Sequence, residues 1–504
     1  MKQIIFNSQF MKRSLLNLCL ILLLSNICNS QISKIKIEDL SSNHIRETID
    51  TLTSSYFEGR DINSTYKLND FFSQKFQDIK LEPLGDSVYL QEINTFKYLE
   101  YSDSSYIIVN NEKLDLGKDF VHSLFDFKDD FNITFKEEVS ETFFGGLPDK
   151  NIDSVLSKVD LTNKTVIFFE KINVNVHKIC RKQGALCVIK IVDSKERLEK
   201  IKSMEHQMYS TIDMFNFHIS KPNTEPFITI YLSPEAGAKI LGIKKRKLED
   251  YAKKYTNIDD SVFYKIPDKI TLNIHREKEY LRAGNFVGAL TGTDSSKNHV
   301  ILSAHYDHLG KNENGYFPGA NDNASGVAVM FETARILSSA YHNGVKPKNS
   351  IIFIAFGMEE SRMLGSKFYV DNPILPLEKL KANINLDMIG RQDKYHDTIP
   401  NYIYALGPDS LSLDIKELMD SINHIYNFTR LEFLSDYPNA NKFFSNSSDQ
   451  VNFLKKGIPA VLINNGMHKD LHRTTDTKEK LNYETIENIT KLLVLSVWEL
   501  ANLP

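Results

Sequence analysis

The sequence predicts an α/β fold in which a mixed, mostly parallel sheet is flanked by helices. Short apolar runs, which are near-continuous as in strands buried on both faces, alternate with helical patterns in the C-terminal half. The strand-like runs are residues 300–304, 350–356, 382–386 and 460–463. The main helical patterns are residues 324–340 and 483–500. Such alternation predicts parallel strands joined by right-handed crossovers.

Residues with acidic and imidazole side chains follow these runs. His305 comes directly after the first run, and Glu359 and Glu360 lie just beyond the second. Asp387 follows the third run, and His472 lies in the loop after the fourth. Because ligands of open α/β sheets bind beyond the carboxyl ends of the strands, these side chains are candidates for one site.

The candidate residues belong to five short motifs. In order they are HYDH (305–308), GANDNASG (319–326), GMEES (357–361), NLDMIG (385–390) and LHRTTDT (471–477). Zinc binds imidazole nitrogen and carboxylate oxygen, and a carboxylate with two oxygens can bridge two metal ions. A further carboxylate, free of metal, is needed to take a proton from water. The motifs contain enough groups for a two-metal hydrolytic site.

Taken together, the motifs resemble those of the M28 zinc metallopeptidases, which include leucine-type aminopeptidases, glutamate carboxypeptidases and glutaminyl cyclases. The resemblance covers residues 278–504 and, more loosely, residues 31–100. It implies two zinc ions per chain. His305 and Asp387 would bind one ion, Glu360 and His472 would bind the other, and Asp322 would bridge them.

The same resemblance implies roles for two further residues. Glu359 would be the general base and acid, and Asp307 would orient the ring of His305, as carboxylates commonly do for a ligating imidazole. It also implies a cis peptide bond between Asp322 and Asn323.

Each motif alone has a plainer interpretation. A His-x-Asp pair is usually a hydrogen-bonded pair without metal, and Glu359-Glu360 could be a solvated helix start. Asp322-Asn323 alone is typical of a turn or a helix N-cap. Five motifs in this order at strand ends make coincidence a poor explanation.

Other histidines are interpreted as ordinary residues. His468 lies four residues before His472, but the spacing to Asp476-Thr477 favours His472 as the ligand. We expect His308, His342 and His396 to be loop or supporting histidines.

The chain departs from the family at two motifs. In the last motif Thr474-Thr475 precede Asp476 where members often have proline, a tolerable change. The other departure lies before the last ligand-bearing strand. Members often have Ser-Asp-His before the last ligand-bearing strand, where this chain has Ser448-Asp449-Gln450. The missing imidazole is not a metal ligand in the family, so the departure bears on substrate preference rather than on metal binding.

The chain divides into four predicted segments. These are a signal peptide (1–30), the N-terminal part of the peptidase domain (31–100), an inserted smaller α/β or β-rich domain (101–277) and the catalytic domain (278–504). In the insert, strands at 166–169 and 186–191 surround a helix at 176–183, which resembles a diverged protease-associated domain. Residues 285–292 resemble a hairpin strand leading to His305, and Glu58-Gly59-Arg60 resembles the family's N-terminal lead.

The N-terminus predicts export. Lys2, Lys12 and Arg13 precede an apolar run at 15–24 and small residues at 28–30, which is the pattern of a cleaved signal peptide. The expected location is the periplasm or the medium, and the context of Cys28 is poor for lipidation. Loss of residues 1–30 removes three cations and no acids, so the net charge changes from −4 to −7. This acidic balance gives no reason to expect nucleic acid, and no other run is long enough to span a membrane.

Two cysteines remain in the mature chain, Cys180 and Cys187. An exported protein permits a disulfide between them, and two buried free thiols are the alternative. Neither cysteine has the spacing of a zinc site.

These observations favour an exported two-zinc exopeptidase that hydrolyses the N-terminal peptide bond of peptide substrates. A carboxypeptidase is one alternative, and would need a cation for the terminal carboxylate. Arg391 is the candidate, although a structural salt bridge would equally explain it. A second alternative is a glutaminyl cyclase, which typically has one zinc ion. A third is a receptor-like relative that has lost its metal ligands. The sequence leaves the oligomeric state and the preferred side chain open.

Overall fold

The fold is described from a computed structural model, which covers most of the chain. The described residues are 32–503 apart from 62–64, 87, 99–104, 124–133, 140–141, 146–155, 157–158, 171–175, 211–216, 220–227, 249, 251–263, 267–269, 276–277, 295, 297, 314, 397 and 434–446. The predicted signal peptide, with Cys19 and Cys28, therefore lies outside the described residues.

The strands are numbered in chain order. They are β1 (Glu82–Pro83), β2 (Leu90–Tyr98), β3 (Tyr106–Val109), β4 (Glu112–Asp115), β5 (Phe120–Ser123), β6 (Thr134–Val139), β7 (Thr142–Phe144), β8 (Thr165–Phe169), β9 (Cys187–Ile191), β10 (Phe217–Ile219), β11 (Ile228–Leu232), β12 (Tyr264–Ile266), β13 (Ile270–His275), β14 (Lys278–Leu290), β15 (His299–His305), β16 (Lys311–Asn312), β17 (Gly315–Tyr316), β18 (Ser350–Phe356), β19 (Leu380–Leu386), β20 (Tyr402–Leu406), β21 (Arg430–Phe433) and β22 (Ala460–Asn464).

The helices are numbered in the same way. They are α1 (Ser42–Leu52), α2 (Thr65–Asp78), α3 (Val176–Lys182), α4 (Lys195–Ser210), α5 (Pro234–Ile240), α6 (Gly326–His342), α7 (Leu364–Asp371), α8 (Asp409–Tyr426), α9 (Gln450–Lys455) and α10 (Tyr483–Asn502). A short 3-10 helix, Ser55–Phe57, follows α1.

The chain forms two compact units. The first combines residues 1–94 with residues 282–504, and the second is residues 95–281. The candidate site residues all belong to the first unit.

A mixed sheet forms the centre of the first unit, with the strand order β14-β18-β15-β19-β22-β20-β21. The four central strands, β18, β15, β19 and β22, are parallel to one another. Strand β14 pairs antiparallel with β18, and β20 pairs antiparallel with β22. This confirms the predicted mixed, mostly parallel sheet, and it brings the carboxyl ends of the four central strands to one edge.

Both faces of the sheet are buried, as the apolar runs predict. Val300 and Leu302 of β15 belong to the large core cluster that also contains side chains of α1, α2, α6 and α10. The intervening Ile301 belongs to a second cluster on the other face, with Tyr369 of α7 and Phe453 of α9. Side chains alternate across a strand, so one β-branched run contributes to both clusters.

One predicted pairing is wrong. Residues 285–292 were expected to form a hairpin strand with the strand that ends at His305, but β14 pairs with β18 instead. The crossover from β15 through α6 returns the chain at β18, which pairs in parallel with β15 and so occupies the position beside it. Apolar character alone does not distinguish between these partners.

The second unit contains two sheets, with strand orders β12-β7-β8-β9-β11-β5 and β4-β3-β13-β6. Strands β7, β8, β9 and β11 are parallel, and α3 connects β8 to β9 near the predicted helix at 176–183. Cys180 and Cys187 are buried free thiols, the second of the two alternatives. The likeness of this unit to a protease-associated domain stays a prediction.

Among the helices of the described part of the chain, none is long and apolar enough to cross a membrane.

Candidate metal centre

His305 is the last residue of β15, and its buried ring lies between carboxylates. Nε2 is 3.3 Å from Asp322 Oδ1 and 3.3 Å from Asp387 Oδ1, while Nδ1 is 3.2 Å from the main-chain oxygen of Asp307. Because a carbonyl oxygen only accepts, Nδ1 is the donating nitrogen. Nε2 then faces two carboxylates, an arrangement that suits a shared cation.

The pKa of His305 is shifted by the carboxylates around its ring. Burial alone would lower its pKa, but the negative charges of Asp387 and Glu359 outweigh burial and raise the pKa well above its ordinary value. Asp322 responds in the opposite direction. Burial would raise the pKa of this carboxyl, yet His305, His308 and His472 hold it well below the ordinary value.

His472 lies on the other side of Asp322. Its Nε2 is 3.1 Å from Asp322 Oδ2 and 3.4 Å from Glu360 Oε2. Despite partial burial, the carboxylates of Asp322 and Glu360 raise the pKa of His472 to about 9. The two oxygens of Asp322 thus face different imidazoles, as expected of a bridging carboxylate.

Asp322 lies in the irregular segment Ala320–Ser325 that precedes α6. The peptide bond from Asp322 to Asn323 is cis, which confirms the expectation drawn from the motif. Asn323 ties the segment to the end of β19: its amide donates to the carbonyl of Leu386 at 2.8 Å, and its Oδ1 accepts from Met388 N–H at 3.2 Å. Oδ1 also accepts from Gly326 N–H at 3.0 Å, where α6 begins.

Two further side chains of this segment bind the loop after β19. Asn321 Oδ1 accepts from Gly390 N–H at 2.7 Å, and Ser325 Oγ accepts from Ile389 N–H at 2.9 Å. The polar residues of GANDNASG therefore fix the loop that presents Asp387. From sequence alone, Asp322-Asn323 is typical of a turn or N-cap, and no role was predicted for Asn321 or Ser325.

The carboxylate of Asp307 binds the main chain of Glu359 and Glu360. Its Oδ1 accepts from the main-chain N–H of Glu359 at 3.0 Å, and its Oδ2 accepts from that of Glu360 at 3.2 Å. The sequence analysis assigned this carboxylate to His305, but the nearest oxygen to His305 Nδ1 is the main-chain carbonyl; the carboxylate is 3.8 Å away. Burial raises the pKa of Asp307 to about 6 against the opposing charge of His305.

Glu359 is partly buried and carries a perturbed carboxyl. Burial is the main cause that raises its pKa well above the ordinary value, and the negative charges of Glu360, Asp449 and Asp387 add to it against the opposing charge of His305. Asp449 is itself buried, and burial raises its pKa to about 7. Carboxyls with raised pKa values in a cleft are typical of acid–base sites.

Sequence reasoning also missed the position of His308. Its Nδ1 is 2.8 Å from Glu360 Oε1 and 3.8 Å from Asp322 Oδ2. Two groups of donors could each hold a metal ion with all atoms within 4.8 Å of one another, namely His305, Asp322 and Asp387, and His308, Asp322 and Glu360. Two imidazoles, His308 and His472, therefore face the Asp322–Glu360 pair. The short spacing from His305 to His308 was the available signal.

The remaining candidates lie apart from these donors. Nη2 of Arg391 donates to Asp470 Oδ2 at 2.7 Å, and the side chain is largely buried. The pKa of His468 is lowered to about 4 by burial and by the charge of Arg391, so the ring is neutral. His396 lies between Asp393 and Glu432, and His342 faces the carbonyl of Lys80.

Gln450, which stands where the family often has histidine, is buried. Its Oε1 accepts from Asn385 Nδ2 at 3.3 Å, and its amide donates to the carbonyl of Ser447 at 2.5 Å. Asn385 also donates to Ser448 Oγ at 2.9 Å. The glutamine thus belongs to a polar network at the start of α9.

An α/β domain with two donor groups that share one carboxylate defines a candidate two-metal centre. Residues 285–497 match the model of peptidase family M28. This match spans all of the candidate ligands, from His305 to His472.

Two curated proteins illustrate the likeness. The chain is 40% identical over 131 residues to Aminopeptidase YwaD of Bacillus subtilis (strain 168), covering 23% of this chain and 27% of that protein. It is 32% identical over 216 residues to Uncharacterized protein YfbL of Escherichia coli (strain K12), covering 38% of this chain and 63% of that protein. The chain thus covers less than two thirds of each of these relatives.

Among solved structures, the aminopeptidase from Aneurinibacillus sp. strain AM-1 is 18% identical, with a TM-score of 0.49. The match covers 92% of this chain and 95% of that one.

Proposed function

We propose that the protein is an exported two-zinc aminopeptidase that removes N-terminal residues from peptides. The observation that carries the proposal is the placement of Asp322 between His305 and His472, with one oxygen 3.3 Å from the first ring and the other 3.1 Å from the second.

The donor set suits zinc. Besides Asp322, the first group offers His305 and Asp387, and the second offers His308 and Glu360. His472 faces the same two carboxylates, at 3.1 Å from Asp322 and 3.4 Å from Glu360. Buried carboxylates packed this closely require compensating positive charge. Zinc accepts this mixture of nitrogen and oxygen and, when bound, lowers the pKa of water and polarises a carbonyl oxygen.

Glu359 is the residue we assign to proton transfer. Its main chain is fixed by Asp307 at 3.0 Å, and its carboxyl belongs to neither donor group. A raised pKa makes this carboxyl a stronger base, which suits it to take a proton from water and pass it to the departing amine. This supports its role as general base and acid.

Recognition of the substrate's end favours an amino group. Glu359 and Asp449 interact electrostatically with the donor carboxylates but are not proposed as zinc ligands, and such carboxyls suit an ammonium better than a carboxylate. Arg391, the cation that a carboxypeptidase would need, is engaged with Asp470 at 2.7 Å and lies 3.8 Å from Asp476. This supports the salt-bridge interpretation of Arg391 and weakens the carboxypeptidase alternative.

The decisive experiment is a release assay on three substrate panels: aminoacyl, C-terminal and N-terminal-glutamine compounds. We expect turnover only of aminoacyl substrates, loss of turnover on treatment with a chelator, and recovery on adding zinc. Acetylation of a good substrate's amino terminus should abolish cleavage, while amidation of its carboxyl terminus should change little. Cleavage that survives chelation would contradict the metallopeptidase assignment, and the reverse blocking pattern would make the enzyme a carboxypeptidase.

Export is tested separately by fractionation of cells that express the full chain. We expect the mature protein outside the cytoplasm, with a new N-terminus near residue 31. A full-length chain retained in the cytoplasm would contradict this part of the proposal.

A further inference from the structure

Arg60, from the Glu58-Gly59-Arg60 motif, is a wholly buried arginine whose role the proposed chemistry does not explain. It follows the 3-10 helix Ser55–Phe57, far in sequence from the residues that match the family model. Its relative exposure is 0%. A buried charge is costly unless its hydrogen bonds are made, so its partners indicate what it does.

Among the described residues, every acceptor that the Arg60 side chain contacts is a main-chain carbonyl. Nε donates to Tyr306 at 2.8 Å, and Nη1 donates to Leu52 at 2.9 Å and to Pro318 at 2.6 Å. Nη2 donates to Gly319 at 2.9 Å and, more weakly, to Asp322 at 3.3 Å. Three of these carbonyls, those of Pro318, Gly319 and Asp322, lie within residues 318–322, at and just before the segment that carries Asp322.

The negative charges nearest to this guanidinium belong to the candidate metal centre. Burial lowers the pKa of Arg60 to about 10, and the carboxylates of Asp322, Asp476, Asp307 and Glu360 oppose this change. The guanidinium therefore stays charged at neutral pH next to the carboxylate-rich centre, and its hydrogen bonds within the described part of the chain go to carbonyls rather than to carboxylates.

The main chain around Arg60 binds the loop after β15. The carbonyl of Arg60 accepts from His308 N–H at 3.1 Å, and the carbonyl of Gly59 accepts from Gly310 N–H at 3.0 Å. Gly59 has a φ of +81°, and a Cβ there would lie 2.1 Å from the oxygen of Gly310. Only glycine allows this approach, so the loop with Asp307 and His308 is fixed by the same short segment.

The carboxylate of Asp476 binds the main-chain amides of the segment that carries Asp322. Asp476 Oδ2 accepts from the N–H groups of Asn321 at 3.0 Å and Asp322 at 3.1 Å. The segment is thus bound through its carbonyls by a cation and through its amides by an anion, which leaves its backbone little freedom.

We propose that Arg60 is a positioning residue of the metal centre: by binding the carbonyls of 318, 319 and 322, it sets the orientation of Asp322 toward both donor groups. This inference rests on the proposed two-metal function. It extends the working site beyond the family match, to a residue from the N-terminal part of the chain.

The test compares Arg60→Lys with Leu68→Ala. Lysine keeps the charge but cannot bind several diverging carbonyls, whereas Leu68 is a buried core leucine of α2. Metal affinity is measured on the apo full chain by competition between the protein and a chromophoric chelator for zinc, and stability is measured by urea unfolding of the same apo samples.

We expect Arg60→Lys to bind zinc about 10–100-fold more weakly, the usual cost of losing a residue that supports metal ligands. Leu68→Ala should lose stability but keep wild-type zinc affinity. The cobalt-loaded Arg60→Lys protein should show an altered visible absorption spectrum, because the geometry around Asp322 has changed.

The outcomes separate the inference from the function on which it rests. Wild-type protein that binds no zinc would overturn the proposed function. Wild-type protein that binds two zinc ions, with Arg60→Lys matching its affinity and cobalt spectrum, would overturn the role of Arg60. If Arg60→Lys does not fold, Gly59→Ala, which keeps Arg60 but displaces its segment from Gly310, should show the same weakened binding; unchanged affinity there would also overturn it.

Discussion

Asp307 Oδ1 accepts the main-chain N–H of Glu359 at 3.0 Å, so the residue two positions after a candidate ligand fixes the candidate base. Its other oxygen accepts from Glu360 N–H at 3.2 Å. One buried carboxylate therefore couples the loop after β15 to the loop after β18. The two parallel strands bring these loops together, and Asp307 keeps them in register.

The first prediction follows from this contact. Asp307→Asn keeps the size but offers one acceptor oxygen to two amides, so the glutamate pair should shift. We expect kcat/KM to fall by about 10–100-fold, as for other residues that support metal ligands. Steady-state kinetics on the best aminoacyl substrate, with zinc content measured in parallel, will check this. Wild-type kinetics would show that the two amide contacts are dispensable.

The second prediction concerns the shared ligand. Asp322→Ala removes the carboxylate that faces both His305 and His472, so we expect both metal sites to be disturbed. Elemental analysis after dialysis should find less zinc than in the wild type, which should hold two ions per chain. Asp371→Ala, which removes an exposed carboxylate of α7, is the matched control and should keep both ions. An Asp322→Ala protein with a full complement of zinc would contradict the bridging role.

The third prediction separates chemistry from binding. Glu359→Gln keeps the shape of the side chain and removes its basic oxygen, so turnover should fall by about 10²–10⁴-fold with zinc content unchanged. Glu378→Gln, at an exposed glutamate, is the control and should behave as the wild type. Near-normal turnover of Glu359→Gln would show that another group is the base.

The fourth prediction distinguishes two imidazoles. His472 contacts Asp322 at 3.1 Å and Glu360 at 3.4 Å, whereas His308 contacts Glu360 at 2.8 Å but Asp322 only at 3.8 Å. We expect His472→Ala to lose one zinc ion and His308→Ala to keep two, with exposed His342→Ala as the control. Zinc titration followed by elemental analysis provides the measurement. The reverse result would make His308 the ligand and His472 a supporting residue.

Much of the architecture follows from local patterns. The strand that ends at His305, the strand before Glu359 and the strand before Asp387 were all predicted from apolar runs, because a sheet buried on both faces leaves a strong signal. Placement of the ligands at strand ends followed from the same runs. The bounds differ by only a few residues, for example Gly326–His342 against a predicted helix at 324–340.

What could not be predicted depends on contacts between distant segments. Arg60 donates to carbonyls of Tyr306 and Pro318, which lie more than two hundred positions away in the sequence. Nothing near Arg60 in the sequence reveals these acceptors. Asp307 Oδ1 lies 3.8 Å from His305 Nδ1, but its contacts with the main chain of Glu359 and Glu360 could not be predicted from residue type and spacing. The hairpin expected at 285–292 failed for a similar reason, since pairing depends on where the crossover returns.

The last prediction concerns Arg391. Its guanidinium donates to Asp470 at 2.7 Å, and Lys480 Nζ donates to the other oxygen of Asp470 at 2.8 Å. If Arg391 is structural, Arg391→Gln should lower the midpoint of thermal unfolding, because a largely buried charge pair loses one partner. It should leave the preference for a free amino terminus unchanged. The control is Lys480→Gln, which removes the other cation that contacts Asp470. Because Lys480 is more exposed than Arg391, its replacement should lower the unfolding midpoint less. An Arg391→Gln protein of normal stability that no longer distinguishes free from amidated carboxyl termini would instead make this arginine the group that recognises the end of the substrate.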